Sequence, residues 1–304
     1  LCWRQAILNL LVNLRMALIS LSTNKFRSAL TLLGIVIGVS AVISLMAIGE
    51  GVQQTITSQI ESLGTNLLFI RPGESSDNRI SRGQGSAQTL TLDDAKELQS
   101  SFSSSFITEV APESTTTKQI VWGNNNTSTR IVGVTPEYQS VRNYSLQSGE
   151  FIGYGHMENN AQVAVLGSRV SETLFGLRNP VGQQVKIGGR PFQVVGLLES
   201  KGSTGSFGFL DDQVLVPITT SYHRLSSQRS VNGGITVQTI NVQIAEPGEM
   251  ERAIREISTL MRQRHRIEEN DDFTITNQQE TIETLKETTN IFVIFLGAIA
   301  SISL

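Results

Sequence analysis

Three histidines, one cysteine and three aspartate pairs are the side chains of this 304-residue chain best suited to chemistry. Covalent hydrolysis needs a nucleophile beside a base, and metal chemistry needs ligands at short, repeated spacing. His156, His223 and His265 stand far apart, none in an H-E-x-x-H order, so each reads as a surface side chain. Cys2 is the only thiol, which excludes an intrachain disulfide and a Cys-rich metal framework. No G-x-S-x-G elbow occurs. Asp93-Asp94, Asp211-Asp212 and Asp271-Asp272 are solitary pairs without further oxygen ligands at useful spacing, and they read as solvated turns or helix caps. Gly202, Gly205 and Gly208 lack the G-x-x-x-x-G-K-[ST] order of a phosphate loop, so the chain is expected to hydrolyse no ATP by itself. These residues predict no catalytic, cofactor-binding or metal site. The basic run Arg262, Arg264, His265 and Arg266 closes a helix, where positive charge suits the C-terminal end; a partner-binding patch is its other reading.

With no catalytic constellation, the distribution of charge and apolar residues becomes the informative signal. The overall content is ordinary, 39% hydrophobic, but the apolar residues concentrate in charge-free runs near the two ends, around a Ser/Thr/Asn/Gln-rich middle. No Asp or Glu precedes Glu50, whereas Arg4, Arg15, Lys25 and Arg27 do. The remainder is acidic, which excludes the basic footprint of a nucleic-acid binder.

Residues 29–48 read ALTLLGIVIGVSAVISLMAI, a charge-free run of about 20 residues, enough at 1.5 Å per residue to cross the ~30 Å hydrocarbon core. Lys25 and Arg27 flank it on one side and Glu50 on the other, so the positive-inside rule places residues 1–28 in the cytoplasm and everything after Glu50 outside. A buried core helix and a cleavable signal peptide are the competing readings, but the run exceeds a signal-peptide core and no Ala-x-Ala-like site follows it. Ile7, Leu8, Leu11, Leu14, Leu18 and Leu21 recur at three- and four-residue steps, which predicts an amphipathic cytoplasmic helix or the start of the first span. Residues 291–304, IFVIFLGAIASISL, are apolar but too short to cross; residues 290–304 are expected to be the start of a second, truncated span of a longer polytopic protein.

Between the spans, the first helix is expected to continue as a stalk from Gly49 to Leu63, with Val52, Ile56, Ile60 and Leu63 on one face and Gly64 as its cap. Ile282 and Leu285 form a matching stripe before the second span, and the two helices are expected to pack side by side. A strand over 66–71 is followed by a Gly/Ser-rich loop over 72–87. Thr91 and Asp94 stand as a capping box before a short helix, and strands follow over 107–122 and 127–134. A second strand–helix–strand series occupies 235–245, a helix after Gly248, and 273–276. Between the two lies a β-rich insert with a strand over 163–166, a helix ending near Gly176 and a hairpin over 183–198 turning at Gly188-Gly189. The architecture predicted is α+β with two lobes.

The segment Asn24 to Val39, NKFRSALTLLGIVIGV, resembles the start of MacB-like ABC transporter permeases. Further pieces follow in the same order: SLGTN at 62–66, VGVTPEY at 132–138, VAVLG at 163–167, LFG at 174–176 with NPVG at 179–182, and DDQVLVP at 211–217. The resemblance covers nearly the whole chain. It implies a membrane-anchored extracytoplasmic core domain over 49–289, with a porter-like lobe of β-α-β-β units and a small β-rich lobe, between two transmembrane helices. It also implies a homodimeric permease of a bacterial inner membrane, active in efflux by mechanotransmission: cytoplasmic ATP hydrolysis moves the periplasmic domain. The expected partners are a separate nucleotide-binding ABC ATPase subunit, which would hold ATP and Mg, and a periplasmic membrane fusion protein. Arg15, Lys25 and Arg27 are the expected ATPase-side flank, and Gly202, Gly205, Phe207, Gly208, Asp211 and Asp212 the expected partner-facing loop. A membrane-anchored sensor or adhesion domain without transport is the alternative.

Overall fold

The computed structural model describes Met16 and residues 25–303 apart from 62–65, 78–79, 85–88, 103–104, 202–209, 226–233 and 268–269. It divides into two compact units, residues 1–57 with 283–304, and residues 58–282.

The first unit is built on two long helices. Helix α1, Lys25–Glu61, has 37 residues, about 55 Å at 1.5 Å per residue. Within its stretch Lys25–Thr55 an 18-residue window has a mean hydropathy of 2.5 and none of it is buried, and it is the one helix among the described residues long and apolar enough to cross a membrane. Leu30, Leu33, Ile37 and Ile43 are all more than half exposed, so the apolar surface of this helix is not packed into a core. Its hydroxyls cost little there: Thr31 donates to the carbonyls of Arg27 and Ser28, both at 3.0 Å, and Thr55 to that of Gly51 at 2.8 Å. The last helix, Gln278–Ser303, runs without interruption through the second apolar run.

The second unit is organised by one sheet. Its strands are β1 Leu67–Pro72, β4 Ile107–Trp122, β5 Asn125–Val134, β6 Leu146–Gly149, β7 Val163–Leu166, β8 Gln184–Ile187, β9 Arg190–Leu198, β10 Gln213–Pro217, β11 Thr239–Ile244 and β12 Phe273–Asn277. The order is β12-β1-β11-β4-β5-β10-β7-β9-β6, with β8 pairing β4 and β9. The two strand–helix–strand units are interleaved. β11 pairs antiparallel with both β1 and β4, and β1 with both β11 and β12, so each unit holds a strand of the other between its own two. Helices α2, Leu92–Phe102, and α4, Met250–His265, are the crossovers. α4 turns Met250, Ala253, Ile257 and Met261 inward at three- and four-residue steps, onto Leu68, Ile70, Ile240 and Val242 of the sheet. The neighbouring β1 residue, Leu67, joins a separate core with Val132, Leu215 and Tyr138, as alternation along a strand requires.

β4 connects the two lobes. Over 16 residues it pairs with β11 at its start, with β5 from Glu113 to Trp122, and with β8 at Ile120 and Val121. Helix α3, Ser168–Phe175, covers the β-rich end with Val170, Leu174 and Phe175. The β8–β9 hairpin turns where the sequence predicts, with Gly188 and Gly189 at φ of 55° and 81°, a pair of left-handed positions that side chains avoid. The segment expected as a loop over 72–87 differs: it carries a two-stranded ladder, β2 Glu74–Asp77 with β3 Ile80–Gln84. Its polar residues have little to bury, yet a hairpin ladder needs only backbone groups, and Gly73 N–H donates to Asp272 O at 2.7 Å at its base.

Candidate functional site

Two polar clusters stand out in the domain, and both contain an aspartate pair from the sequence. The first lies between the end of β9 and the start of β10. β9 ends at Leu198 and β10 begins at Gln213, and β7 lies between them in the sheet. The two ends of the connection are therefore clamped above the end of β7. Asp211, only 9% exposed, accepts the Ser200 hydroxyl at 2.7 Å and the Lys201 backbone N–H at 3.0 Å. Its own carbonyl accepts Arg169 N–H at 3.2 Å. Gly167 is required directly beneath: a Cβ there would lie 2.4 Å from Asp211 O and 2.8 Å from Gln213 O. Asp212 is held by Thr129, whose hydroxyl lies 2.8 Å from its carboxylate and 3.0 Å from its carbonyl.

The Lys201 amine turns inward. It donates to Arg142 O at 2.8 Å and lies 4.4 Å from the centre of the Tyr144 ring. Burial, helped by the charge of Arg142 and opposed by that of Asp211, brings its pKa down to about 8. Gln213 donates to the Tyr144 hydroxyl at 2.5 Å, and the Arg142 guanidinium lies over Phe69 at 5.7 Å. The site holds the end of one strand and the start of another on a polar, partly buried floor, and among the described residues it contains no nucleophile–base pair.

The second cluster locks helices α2 and α4. Thr91 and Asp94 form the predicted capping box: the carboxylate accepts Thr91 N–H at 2.9 Å, and Asp94 N–H donates to the Thr91 hydroxyl at 3.3 Å. Asp94 also receives Arg264 at 2.9 Å and faces His265 Nε2 at 3.4 Å, while His265 Nδ1 reaches Asp272 at 2.8 Å. Burial alone would raise the Asp94 pKa, but the bonds from His265, Thr91 and Arg264 outweigh it and hold the carboxyl well below the usual range. His265 is pushed up by Asp94, against burial, with Asp272 adding to the rise. The expectation that His265 is a surface residue is corrected: its side chain is only 10% exposed. Arg262 and Arg264 of the basic run likewise find partners within the chain, Arg262 pairing Asp271 through two bonds of 2.7 Å. Among the described residues no group of three or more His, Cys, Asp or Glu side chains is disposed to hold a metal ion.

Of the other positions singled out in the sequence, Lys25 and Arg27 are exposed in the first turn of α1, and Val52 is 49% exposed further along it. Ile56, Ile60, Ile282 and Leu285 lie on helices, but their side chains are outside the described residues, as are Arg15, Leu63, Gly202, Gly205, Phe207 and Gly208 entirely. Lys201, Arg142 and Tyr144 escaped sequence reasoning. A lysine three residues past an apolar strand, ten residues before an aspartate pair, was the available signal.

A family model described as MacB-like periplasmic core domain matches residues 28–260. The chain is 32% identical over 288 residues to a macrolide export ATP-binding/permease protein MacB of Bdellovibrio bacteriovorus, covering 94% of this chain and 43% of that protein. It is 36% identical over 293 residues to a protein of the same name from an Azoarcus species, covering 95% and 42%. The chain thus spans about two fifths of the length of these curated relatives. Among solved structures, it is similar to the periplasmic region of MacB from Actinobacillus actinomycetemcomitans, with a TM-score of 0.59 and 25% identity over 75% of this chain and 95% of that one. The extracellular domain of the noncanonic ABC-type transporter YknZ from Gram-positive bacteria shares the fold, with a TM-score of 0.54 and 16% identity over 70% and 100%. The chain belongs to the family of permeases that carry a MacB-like periplasmic core domain.

Proposed function

We propose that this chain acts as the permease part of an ABC-type efflux transporter, with residues 29–48 in a bacterial inner membrane, residues 1–28 in the cytoplasm and the core domain in the periplasm. The observation that carries the reading is the family match together with an unburied 31-residue apolar helix directly preceding the domain in the chain. The chain itself is non-catalytic in this reading. ATP and Mg bind on a nucleotide-binding ATPase outside residues 1–304, on a separate subunit, and the relatives' names join ATP-binding and permease in one protein. Two copies assemble around the membrane helices, and the segment bracketed by Lys201 and Asp211 faces a periplasmic adaptor. Motion passes through paired stalk helices carrying Ile56, Ile60, Ile282 and Leu285. A strand such as β4, hydrogen-bonded into both lobes, supports rigid transfer of that motion through the domain.

The protein containing this segment is purified from its native membrane in mild detergent. We expect a nucleotide-binding subunit to accompany it and ATPase activity to disappear when that subunit is stripped. On spheroplasts, an impermeant thiol reagent should label Ser76→Cys and spare Cys2. Labelling of Cys2 alone reverses the orientation, and purification without any ATPase favours an anchored sensor over a transporter. Cysteines scanned around Ile56 and Leu285, with Cys2 replaced, should form an intramolecular disulfide whose formation impairs efflux.

A further inference from the structure

A cleft of about 350 Å³, at the lower end of the size of small-molecule sites, opens where α2, β4 and the 135–157 stretch meet. Most of its wall is apolar, from Leu92 and Ala95 of α2, Val110 and Pro112 of β4, and Met157. Glu137 stands in the same wall, half-buried, and its carboxylate accepts the hydroxyl of Tyr154, which also lines the cleft. A second carboxylate, Glu109 on β4, accepts the Ser140 hydroxyl, and its charge reaches the Tyr154 phenol. The bond to Glu137, with burial and the charges of Glu137 and Glu109 adding to it, pushes that phenol up to about 12. Tyr154 is therefore a neutral donor, and the negative charge stays on the glutamates. Among the described residues neither glutamate forms an ion pair, and the one cation in the wall, Lys96, is held by Asp93 at 3.2 Å.

We infer that this cleft is a binding site for a small organic monocation, a compact apolar body carrying one ammonium group. The body covers Leu92, Ala95, Val110, Pro112 and Met157, and the ammonium donates to the Glu137 carboxylate. Charge selects the ligand. A neutral body of the same shape would strip water from Glu137 without replacing it, whereas a cation supplies a charge-assisted hydrogen bond in its place. An anion would add repulsion from Glu137 and Glu109. Occupancy ties a helix, the lobe-connecting strand and the 135–157 segment together.

The test uses the whole chain in phosphatidylcholine nanodiscs, with empty nanodiscs as the reference, and two compounds of nearly equal size and shape. 2-Naphthylmethylamine carries an ammonium at neutral pH, and 2-naphthylmethanol is its neutral counterpart. We expect saturable calorimetric binding of the amine at one site per chain, about tenfold tighter than the alcohol. Glu137→Gln, which keeps an acceptor for Tyr154, should bring the amine down to the level of the alcohol and leave the alcohol unchanged. Ser100→Trp, at an exposed position in the cleft wall, should abolish saturable binding of the amine while circular dichroism stays unchanged. Binding no greater than to empty nanodiscs, equal binding of the two compounds, a preference for the amine that persists in Glu137→Gln, or survival of binding in Ser100→Trp would each overturn the inference. A photo-reactive group on Ser100→Cys, with Cys2 replaced, that cross-links a polypeptide in native membranes and is unaffected by the amine assigns the cleft to a protein partner and overturns it too. Binding is read without nucleotide or transport, so its failure leaves the permease reading standing.

Discussion

Asp94 and Asp211 are both nearly buried, at 4% and 9% exposure, and each comes from an aspartate pair, yet their surroundings differ in kind. Asp94 meets cations: Arg264 at 2.9 Å and His265 at 3.4 Å, in addition to its own helix cap. Asp211 meets neutral donors, the Ser200 hydroxyl and the Lys201 N–H, while the Lys201 amine is turned to the Arg142 carbonyl. The first arrangement joins two helices that must not separate, because breaking it strands buried charge. The second closes the two ends of a loop with bonds that water can replace at modest cost. The difference separates a lock between two helices from a clamp on the end of one strand and the start of another.

The largest effect should come from Asp94→Ala, which leaves Arg264 and His265 without their shared carboxylate and should cost about 3–5 kcal/mol in urea unfolding followed by circular dichroism. A loss below 1 kcal/mol would erase the contrast with Asp211. Next, His265→Gln should cost about 2 kcal/mol at pH 6. The raised His265 pKa means that its stabilisation is full below the unfolded value of about 6.5 and is lost as pH rises through the folded value. Asp94 acts oppositely, since its depressed pKa stabilises above about 3.9 and is lost as pH falls through the folded value. Melting temperatures from pH 6 to 7.5, below the range in which Lys201 titrates, should therefore decline in the parent and flatten in His265→Gln.

Asp211→Ala should cost only about 1–2 kcal/mol, and amide exchange at Lys201 and Arg169 should accelerate about tenfold without change in α2 or α4. Equal acceleration in both regions would show that the clamp and the lock are one cooperative unit. The smallest effect concerns Lys201. Its amine, followed by NMR after ¹³C-methylation, should titrate near 8, and Arg142→Met should move it toward the ordinary 10.5 by removing a neighbouring positive charge. An unmoved value would assign the depression to burial alone.

Local patterns were readable where one segment supplies all the information. The apolar run of α1, the helix after Gly248, the β4 boundaries at Ile107 and Trp122, and the Gly188-Gly189 turn each depend on residues within a few positions of one another. The β2–β3 ladder was not readable, because its polar residues resemble a solvated loop and its pairing uses only backbone groups. In the candidate site, Asp211 and Asp212 were visible as a pair, but their partners Ser200, Lys201 and Thr129 come from other stretches of chain. His265 looked solvated because Asp94 lies 171 positions away.

The sequence by itself determined that the chain carries one span-length apolar helix and an α+β domain of two strand–helix–strand units with a β-rich insert, and that it is similar to MacB-like permeases. Hydrophobic period, charge-free length and turn residues are properties of contiguous chain, so they survive without coordinates. Only the tertiary structure decided that the two units interleave as β12-β1-β11-β4 and that β4 joins both lobes. It alone decided that a buried imidazole bridges two carboxylates. Strand order and buried charge pairs are set by which surfaces exclude water together, and no local window of sequence contains both partners.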